Sequence, residues 1–186
     1  MATLWADKSI YIFESSNELL IIPKLPLKID EEIFIKNFDI FRALEIGIGV
    51  NVPENIPLSI VNKIDNEYVL SPWGEILWQK IKNEVYKKQL VNPITDKIIY
   101  SQNFKKQFEN FSPQEKYQIN KTIDKLEKYV AFGENLKSLR VHELSGDIAK
   151  KYNLECYPFD GNDSRRLYCN KKDEKIILET IDSHLK

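Results

Sequence analysis

The stretch "SPQEKYQINKTIDKLEKYVAFG", residues 112–133, decides the fold of the second half of the chain. Ser112 and Glu115 have the spacing of a helix capping box, and Pro113 takes the first helical position. Gly133 stands where a helix that began there would end. The apolar residues of this stretch recur at helical spacing, at Ile119, Ile123, Leu126 and Val130. The stretch therefore predicts a helix of about five turns with one buried side.

The segments on either side of this helix predict an α+β fold for residues 94–186. Before it, "DKIIYS" is typical of a strand and "SQNFKKQFENF" of a short helix with Phe104, Phe108 and Phe111 on one side. After it come four strand-like runs, "LKSLRVHEL", "YNLECYPF", "SRRLYCN" and "KIILETI", the last two joined by a turn at "NKKDE". The order predicts two helices on one face of a largely antiparallel sheet.

Residues 1–93 predict a smaller α+β region, whose role the sequence does not indicate. Its hairpin signals are "KSIYIFESSNELLIIPK" and "SIVNKIDNEYVL", which turns at Asp65 and Asn66. Ser71 and Pro72 open a helix in "SPWGEILWQKIKNEVYKKQL". The stretch "IDEEIFIKNFDIFRALEIGIGV" has mostly helical spacing, but its β-branched residues leave a strand open. "VNPITD" offers the best boundary between the two regions.

Composition favours a cytoplasmic protein that does not enter a membrane. Asp7 and Lys8 interrupt the apolar run that a signal peptide would need, and no apolar run has the length of a membrane span. The two cysteines, Cys156 and Cys169, lie in strand-like runs where reduced buried thiols are expected. Residues 1–93 hold 10 basic and 13 acidic residues, a net charge of −3, and residues 94–186 hold 17 and 15, a net of +2. This mild asymmetry permits nucleic-acid binding without requiring it.

Several common site motifs are missing from the sequence. "GIGVNVP" lacks the third glycine of a dinucleotide-binding loop, and no phosphate-loop lysine follows it. Two histidines and two cysteines at unrelated spacing indicate no metal site, and no G-x-S-x-G elbow occurs. We therefore expect neither a metal nor a cofactor.

Polar residues gather in the last third of the chain, and two adjacent arginines raise a question there. Side chains alternate along a strand, so Arg165 and Arg166 must point to opposite faces, and an arginine on the covered face usually has a partner or binds an anion. The pair is either a solvated strand end or half of an anion site. His184 follows the last strand directly. For Arg140 and His142, a position on an exposed strand edge is a better explanation than a functional role.

From about residue 95 onward the sequence resembles the bacterial RelE/ParE toxin superfamily, and within it the ribosome-dependent, messenger-RNA-cleaving branch that includes RelE and YoeB. The resemblance rests on "DKIIYSQNFKKQFENF" as first strand and helix, on "FGENLKSL" after the second helix, on the R-x-x-Y spacing of "RRLYC", and on "KIILETIDSHLK" as last strand with a near-terminal histidine. It implies the toxin-like domain of a bacterial toxin-antitoxin system, with RNA and the ribosome as possible partners. A cognate antitoxin, or the N-terminal half of this chain, would cover the sheet of that domain.

The resemblance also implies a metal-independent cleavage of RNA and its residues. Glu134 and His184 would move the protons, and Arg165 would stabilise the charge on the reacting phosphate. Lys137, Arg166 and Tyr168 would bind the RNA, with Arg166 on the other face of the sheet. These six residues are the predicted site.

Two alternatives remain open at the level of sequence. One is a noncatalytic module that keeps the fold to bind protein or nucleic acid, and the other is a ParE-like inhibitor of DNA gyrase. Catalysis requires Glu134, Arg165 and His184 to converge at one cleft, whereas a binding module could leave them apart.

Overall fold

The computed structural model describes residues 5–7, 10–15, 18–23, 27–134, 137–160 and 163–183, and as far as residue 29 it describes the backbone alone. The chain divides into two compact units. The first comprises residues 1–44 and 51–81, and the second comprises residues 45–50 and 82–186. Within the described ranges, no helix combines the length and apolar composition that crossing a membrane requires.

The first unit contains three short antiparallel strands, a hairpin and helices. Its elements are β1 (Trp5–Asp7), β2 (Ile10–Ser15), β3 (Glu18–Pro23), α1 (Leu27–Lys36), α2 (Phe38–Ile46), β4 (Val61–Ile64), β5 (Glu67–Leu70) and the start of α3 (Pro72–Lys88). Strands β2 and β3 pair as the first predicted hairpin and β4 and β5 as the second. Asp65 and Asn66 both have positive φ, as a tight two-residue hairpin turn requires. The ambiguous stretch after residue 29 is helical.

Helix α3 begins at the predicted cap and passes very close to the preceding hairpin. The Gly74 amide donates a hydrogen bond of 2.9 Å to the Ser71 hydroxyl, which in turn donates to the Ser59 carbonyl. A Cβ atom on Gly74 would lie 2.2 Å from the Ile60 carbonyl oxygen, so only glycine fits there. Further along α3, Trp78 is fully buried against Phe34 and Phe41 and forms the core of the first unit.

The second unit is a five-stranded sheet with two complete helices. Its elements are the rest of α3, β6 (Ile98–Tyr100), α4 (Gln102–Asn110), α5 (Pro113–Phe132), β7 (His142–Glu143), a 3₁₀ turn (Ile148–Lys150), β8 (Leu154–Cys156), β9 (Arg165–Lys172) and β10 (Lys175–Ser183). The strand order is β6-β10-β9-β8-β7. Strand β6 runs parallel to β10 and the other pairs are antiparallel. The predicted α+β class is confirmed.

Helix α5 has the predicted ends and the predicted buried side. Ser112 and Glu115 form both bonds of the capping box, and Gly133 ends the helix in the left-handed conformation with φ 73°. Ile119, Ile123 and Leu126 are fully buried, whereas Val130 at the last turn is only half-buried. These three side chains contribute about 2 kcal/mol each by removing apolar surface from water.

Two buried polar side chains of α5 hold the segment between α3 and β6. Asn120 donates to the carbonyls of Tyr86 and Gln89 and accepts from the Val91 amide, and it is fully buried. Glu127, also fully buried, accepts from the backbone amides of residues 94 and 95. These bonds connect the end of α3 and the segment after it to α5, and the second unit includes α3 from Lys82 onward. The expected boundary between residues 93 and 94 stays a prediction.

The first two predicted strands after α5 are shorter than expected. Residues 137–139 form a turn, and Arg140 has φ 46°, which an extended strand cannot accommodate. Only His142 and Glu143 of "LKSLRVHEL" pair with β8, and β8 itself has three residues.

The two faces of the sheet differ in character. Leu154, Cys156, Leu167 and Cys169 share the helix-side face and are fully or almost fully buried. Both cysteines are buried free thiols, and burial, together with the neighbouring Cys156 thiol, raises the pKa of the Cys169 thiol, so Cys169 is held in its neutral form. The opposite face carries His142, Glu155, Arg166 and Tyr168, and we call it the Arg166 face.

Candidate nucleic-acid interface

Arg165 lies on the helix-side face, and its charge is neutralised by two carboxylates. Its Nη1 atom is 2.6 Å from Glu115 Oε1, and its Nη2 atom is 2.7 Å from Asp163 Oδ2. The guanidinium carbon lies 4.1 Å from the centre of the Phe159 ring. Arg165 thus ties the start of β9 to the first turn of α5. A guanidinium with this set of partners has little remaining capacity to stabilise a phosphate.

The pKa values around Arg165 shift as this network requires. Hydrogen bonds from the Ser112 hydroxyl and amide, and then the bond from Arg165, lower the pKa of Glu115. The hydrogen bonds from Arg165 lower the pKa of Asp163 and outweigh its partial burial. The same two carboxylates raise the pKa of Arg165 above its already high ordinary value. All three groups therefore stay charged at neutral pH.

Arg166 points to the opposite face, as the alternation of side chains predicts. Its guanidinium carbon stands 3.7 Å from the centre of the Tyr157 ring, a close stacking contact. Its Nη1 donates to the backbone carbonyls of Asp163 and Arg165 at 3.2 and 3.0 Å. Among the described residues no carboxylate forms an ion pair with Arg166, although Asp182 is its register partner on β10. Its positive charge is therefore available to an anion.

Two further basic side chains surround the same tyrosine ring. The Arg140 guanidinium carbon lies 5.4 Å from the centre of Tyr157, and the His142 ring meets it edge-on at 6.1 Å. Both Arg140 and His142 are exposed, and Tyr157 is half-buried. We call Arg140, His142, Tyr157 and Arg166 the Tyr157 cluster. Like Arg166, neither Arg140 nor His142 is ion-paired within the part of the chain that the structure describes.

The backbone of Arg140 is in a conformation that L-residues seldom adopt. Its φ of 46° lies in the left-handed region, and it is not part of a hairpin turn as the other non-glycine residues with positive φ are. The Tyr157 amide donates to the carbonyl of the preceding residue, Leu139, at 3.2 Å. Unfavourable backbone conformations persist where the surrounding structure enforces them, and they concentrate at functional sites.

The same region of the sheet contains a buried carboxylate and two tyrosine rings in tilted contact. In the sheet register, Glu155 on β8 lies opposite His142 on β7 and opposite Tyr168 on β9. Its Oε2 atom is buried and has no hydrogen-bond partner in the described structure. Tyr168 is fully buried, with its ring centre 5.4 Å from that of Tyr152. Tyr168 therefore supports the site from within, and it presents no exposed ring to an RNA.

The structure does not bring Glu134 and Arg165 together. Glu134 follows the C-cap of α5, is 54% exposed and pairs with Lys128 at 3.6 Å, whereas Arg165 pairs with Glu115 in the first turn. The rise of the helix between Glu115 and Lys128 is about 20 Å. Lys137 lies exposed in the turn after α5, and His184 falls outside the described residues.

The sequence did not predict the Tyr157 cluster. The expected exposed strand edge is found at His142, on the edge strand β7, whereas Arg140 lies outside that strand and Tyr157 follows β8. The available signal was the alternation of side chains along a strand. Arg140 and His142 are two residues apart, so an extended segment places them on the same side. Arg166 lies on β9, the strand next to β8, on the same face of the sheet as Tyr157. Which ring they would meet depends on pairing that no local pattern specifies.

Comparisons with protein-family models, with curated proteins and with solved structures found no match to this chain.

Proposed function

We propose that residues 94–186 act as a RelE/ParE-like toxin domain that binds RNA on the Arg166 face and cleaves it without a metal ion. The observation that carries this proposal is the Tyr157 cluster, where three basic side chains without a described ion pair surround one aromatic ring. Guanidinium groups bind phosphate oxygens in a planar, two-point geometry, and an aromatic ring offers a surface on which a base can stack.

The order of elements supports the same proposal. A strand, two helices and four strands follow one another, and the last strand lies beside the first in the sheet. The succession of one strand, two helices and several strands was expected from the sequence, whereas the pairing of the last strand with the first was not predicted. Fold alone does not establish activity, so the proposal depends on the chemistry of the cluster.

The chemistry requires only side chains. A base takes the proton of the ribose 2′-hydroxyl, the 2′-oxygen bonds to the adjacent phosphorus, and the bond from phosphorus to the 5′-oxygen breaks as an acid protonates that oxygen. The products are a 2′,3′-cyclic phosphate and a 5′-hydroxyl. Arg166 would stabilise the charge on the phosphate in the role first assigned to Arg165, because among the described residues its guanidinium forms hydrogen bonds to backbone carbonyls and no ion pair with a carboxylate. Proton transfer by His184 stays a prediction.

The proposal is tested by measuring RNA binding and cleavage by the full chain and three variants. A fluorescent single-stranded RNA serves as the probe, titrated at several salt concentrations, and cleavage is followed on gels in the presence of EDTA. Arg166→Ala should weaken binding about tenfold or more, since charged hydrogen bonds contribute about 1.5–3 kcal/mol. It should also reduce the salt dependence by about 0.7 log units per tenfold change in salt.

Lys172→Ala is the matched control, because Lys172 is an exposed cation at the far end of the same face of β9. It should bind RNA nearly as the native chain does. Arg165→Ala should bind RNA normally wherever it remains folded. Equal binding by the native chain and Arg166→Ala, or no RNA binding at all, would refute the proposed interface.

A noncatalytic RNA-binding module is the second candidate. The distance along α5 between the partners of Glu134 and Arg165 favours it, because these two residues of the expected catalytic set do not share a cleft. Tight, salt-dependent binding with intact RNA after long incubation would select this candidate over the nuclease.

A further inference from the structure

We infer that Glu155 is a positioning residue that holds the His142 imidazole for proton transfer at the RNA site. The inference rests on the proposed function, and it adds a specific pair of residues to it. The Glu155 carboxylate would accept a hydrogen bond from one ring N–H of His142, and the second ring nitrogen would then face Arg140 and Arg166. That second nitrogen would take the 2′-hydroxyl proton of an RNA held between the two arginines.

The sheet register places the two side chains next to each other. His142 on β7 is the direct partner of Glu155 on β8, so both side chains leave the same face of the sheet. Direct partners on antiparallel strands have their Cβ atoms about 4.5–5.5 Å apart. A glutamate and a histidine at this separation can form a hydrogen bond between their end groups by choice of rotamer.

The buried oxygen of Glu155 gives an independent reason for the pairing. The Glu155 residue is only 9% exposed, and its Oε2 atom lacks a donor among the described residues. A buried acceptor without a donor destabilises the fold, and such atoms in native proteins often belong to functional sites. On the neighbouring strand, the register partner His142 offers a ring N–H.

His142 can reach this carboxylate because its own side chain is exposed. The ring now stands edge-on to Tyr157, with 70° between the two planes. Exposed side chains change rotamer within nanoseconds, so a turn of the ring towards Glu155 is readily accessible. The bond would fix which ring nitrogen carries the proton, as the carboxylate does in catalytic triads.

Charged groups from several elements surround His142. Arg140, on the loop before β7, and Arg166, on β9, both contact the Tyr157 ring that His142 meets. Asp182 pairs in register with Arg166 on β10. Glu143 is the next residue on β7 but points to the other face. Glu155 is the carboxylate directly opposite His142.

The pairing is tested by following the His142 ring by NMR as a function of pH in the full chain. The sequence has two histidines, so a His184→Ala background leaves one signal to follow. The ring nitrogen shifts report which nitrogen carries the proton, and Glu155→Gln should change that tautomer balance because it removes the carboxylate that accepts the ring N–H. Glu143→Gln removes the same charge from the exposed neighbour and should leave the tautomer balance unchanged.

A second variant covers the case in which Glu155→Gln does not fold. His142→Gln changes an exposed residue, and in this variant the carboxyl carbon signal of Glu155 should shift in NMR spectra because the carboxylate has lost its partner. An unchanged Glu155 signal there, or an unchanged His142 tautomer balance in folded Glu155→Gln, overturns the pairing.

The catalytic part is decided by RNA cleavage, separately from RNA binding. Glu155→Gln should lower kcat at least tenfold and leave both KM and the binding of RNA unchanged. Cleavage at the native rate by Glu155→Gln overturns the positioning role, even if the NMR coupling is present. Absence of RNA binding in the native chain would instead refute the proposed function, and with it the RNA role of this pair.

Discussion

Arg165 and Arg166 are neighbours in the sequence with opposite surroundings. Arg165 meets two carboxylates and an aromatic ring on the helix-side face. Arg166 meets a tyrosine ring and two backbone carbonyls on the other. One residue of register therefore separates a structural arginine from one that can bind an anion, which is why an R-x-x-Y pattern alone assigned the phosphate role to Arg165.

The ion pairs of Arg165 make part of the stability of the second unit dependent on pH, and this part is lost in acid. Asp163 and Glu115 have lowered pKa values in the folded state, so their stabilisation is complete above their ordinary values of 3.8 and 4.5 and is lost as the pH falls through the lowered values. Arg165→Gln should cost about 1–2 kcal/mol at pH 7 and progressively less below pH 4. Urea unfolding at a series of pH values measures this.

Lys150→Gln is the control for that experiment. It breaks the Lys150–Asp147 pair, whose side chains are 80% and 95% exposed, and should change stability very little at any pH. A cost of Arg165→Gln that is the same at pH 7 and pH 3 would contradict the assignment of these pKa shifts.

Residue types at the site were predictable, but their pairing was not. The sequence named Arg166, Tyr168, Arg140 and His142 as polar or aromatic residues of adjoining strands. Tyr168 proved to be buried and Tyr157 to be the centre of the cluster, because strand order and register place side chains that are distant in sequence side by side. Local periodicity contains no information about which strand lies next to which.

Helices were predicted more accurately than strands for a related reason. The ends of α5 are set by Ser112, Glu115 and Gly133, all of which act within a few residues. The short strands β7 and β8 depend on the left-handed backbone at Arg140 and on distant partners. A capping signal is local, whereas the extent of a strand is decided by the neighbour with which it pairs.

The start of α3 offers a test at the level of one element. Gly74→Ala would place a methyl group 2.2 Å from the Ile60 carbonyl, which the Ser71 amide already fixes at 2.8 Å. We expect a loss of about 2 kcal/mol or more, although alanine is the better helix former by about 1 kcal/mol. Chemical denaturation of the full chain is the measurement.

Gly49→Ala is the matched change, because a Cβ atom at Gly49 would have no neighbour within 4 Å. It should be neutral or slightly stabilising. Should Gly74→Ala prove as stable as Gly49→Ala, the close approach of α3 to Ile60 would be wrong.

At the scale of the whole molecule, the boundary inside α3 predicts which fragment is stable. Residues 82–186 retain Tyr86, whose hydroxyl lies 2.6 Å from Asp124, and the backbone partners of Asn120. Residues 94–186 lose all of these and leave the buried Asn120 amide without partners. The shorter fragment should therefore unfold at a lower temperature, since each unpaired buried polar group costs about 1–3 kcal/mol.

Asn120→Ala separates this cause from a general effect of length. It should destabilise the 82–186 fragment by about 1–3 kcal/mol and leave the 94–186 fragment unchanged or more stable, because there the amide has nothing left to bind. Equal losses in both fragments, measured by thermal unfolding, would place the boundary elsewhere.

The position of β10 has a consequence for the order in which the sheet can assemble during synthesis. It is the last of the five strands to leave the ribosome, yet it lies between β6 and β9. Ser101, at the end of β6, donates its hydroxyl proton to the Glu179 carbonyl across 78 residues of chain. Until β10 emerges, β6 has no strand beside it and the helices have only part of a surface to cover. A nascent chain that stops before Lys175 therefore lacks the middle of its sheet, and we expect chaperones and proteases to recognise it as unfolded however much of its length has been made.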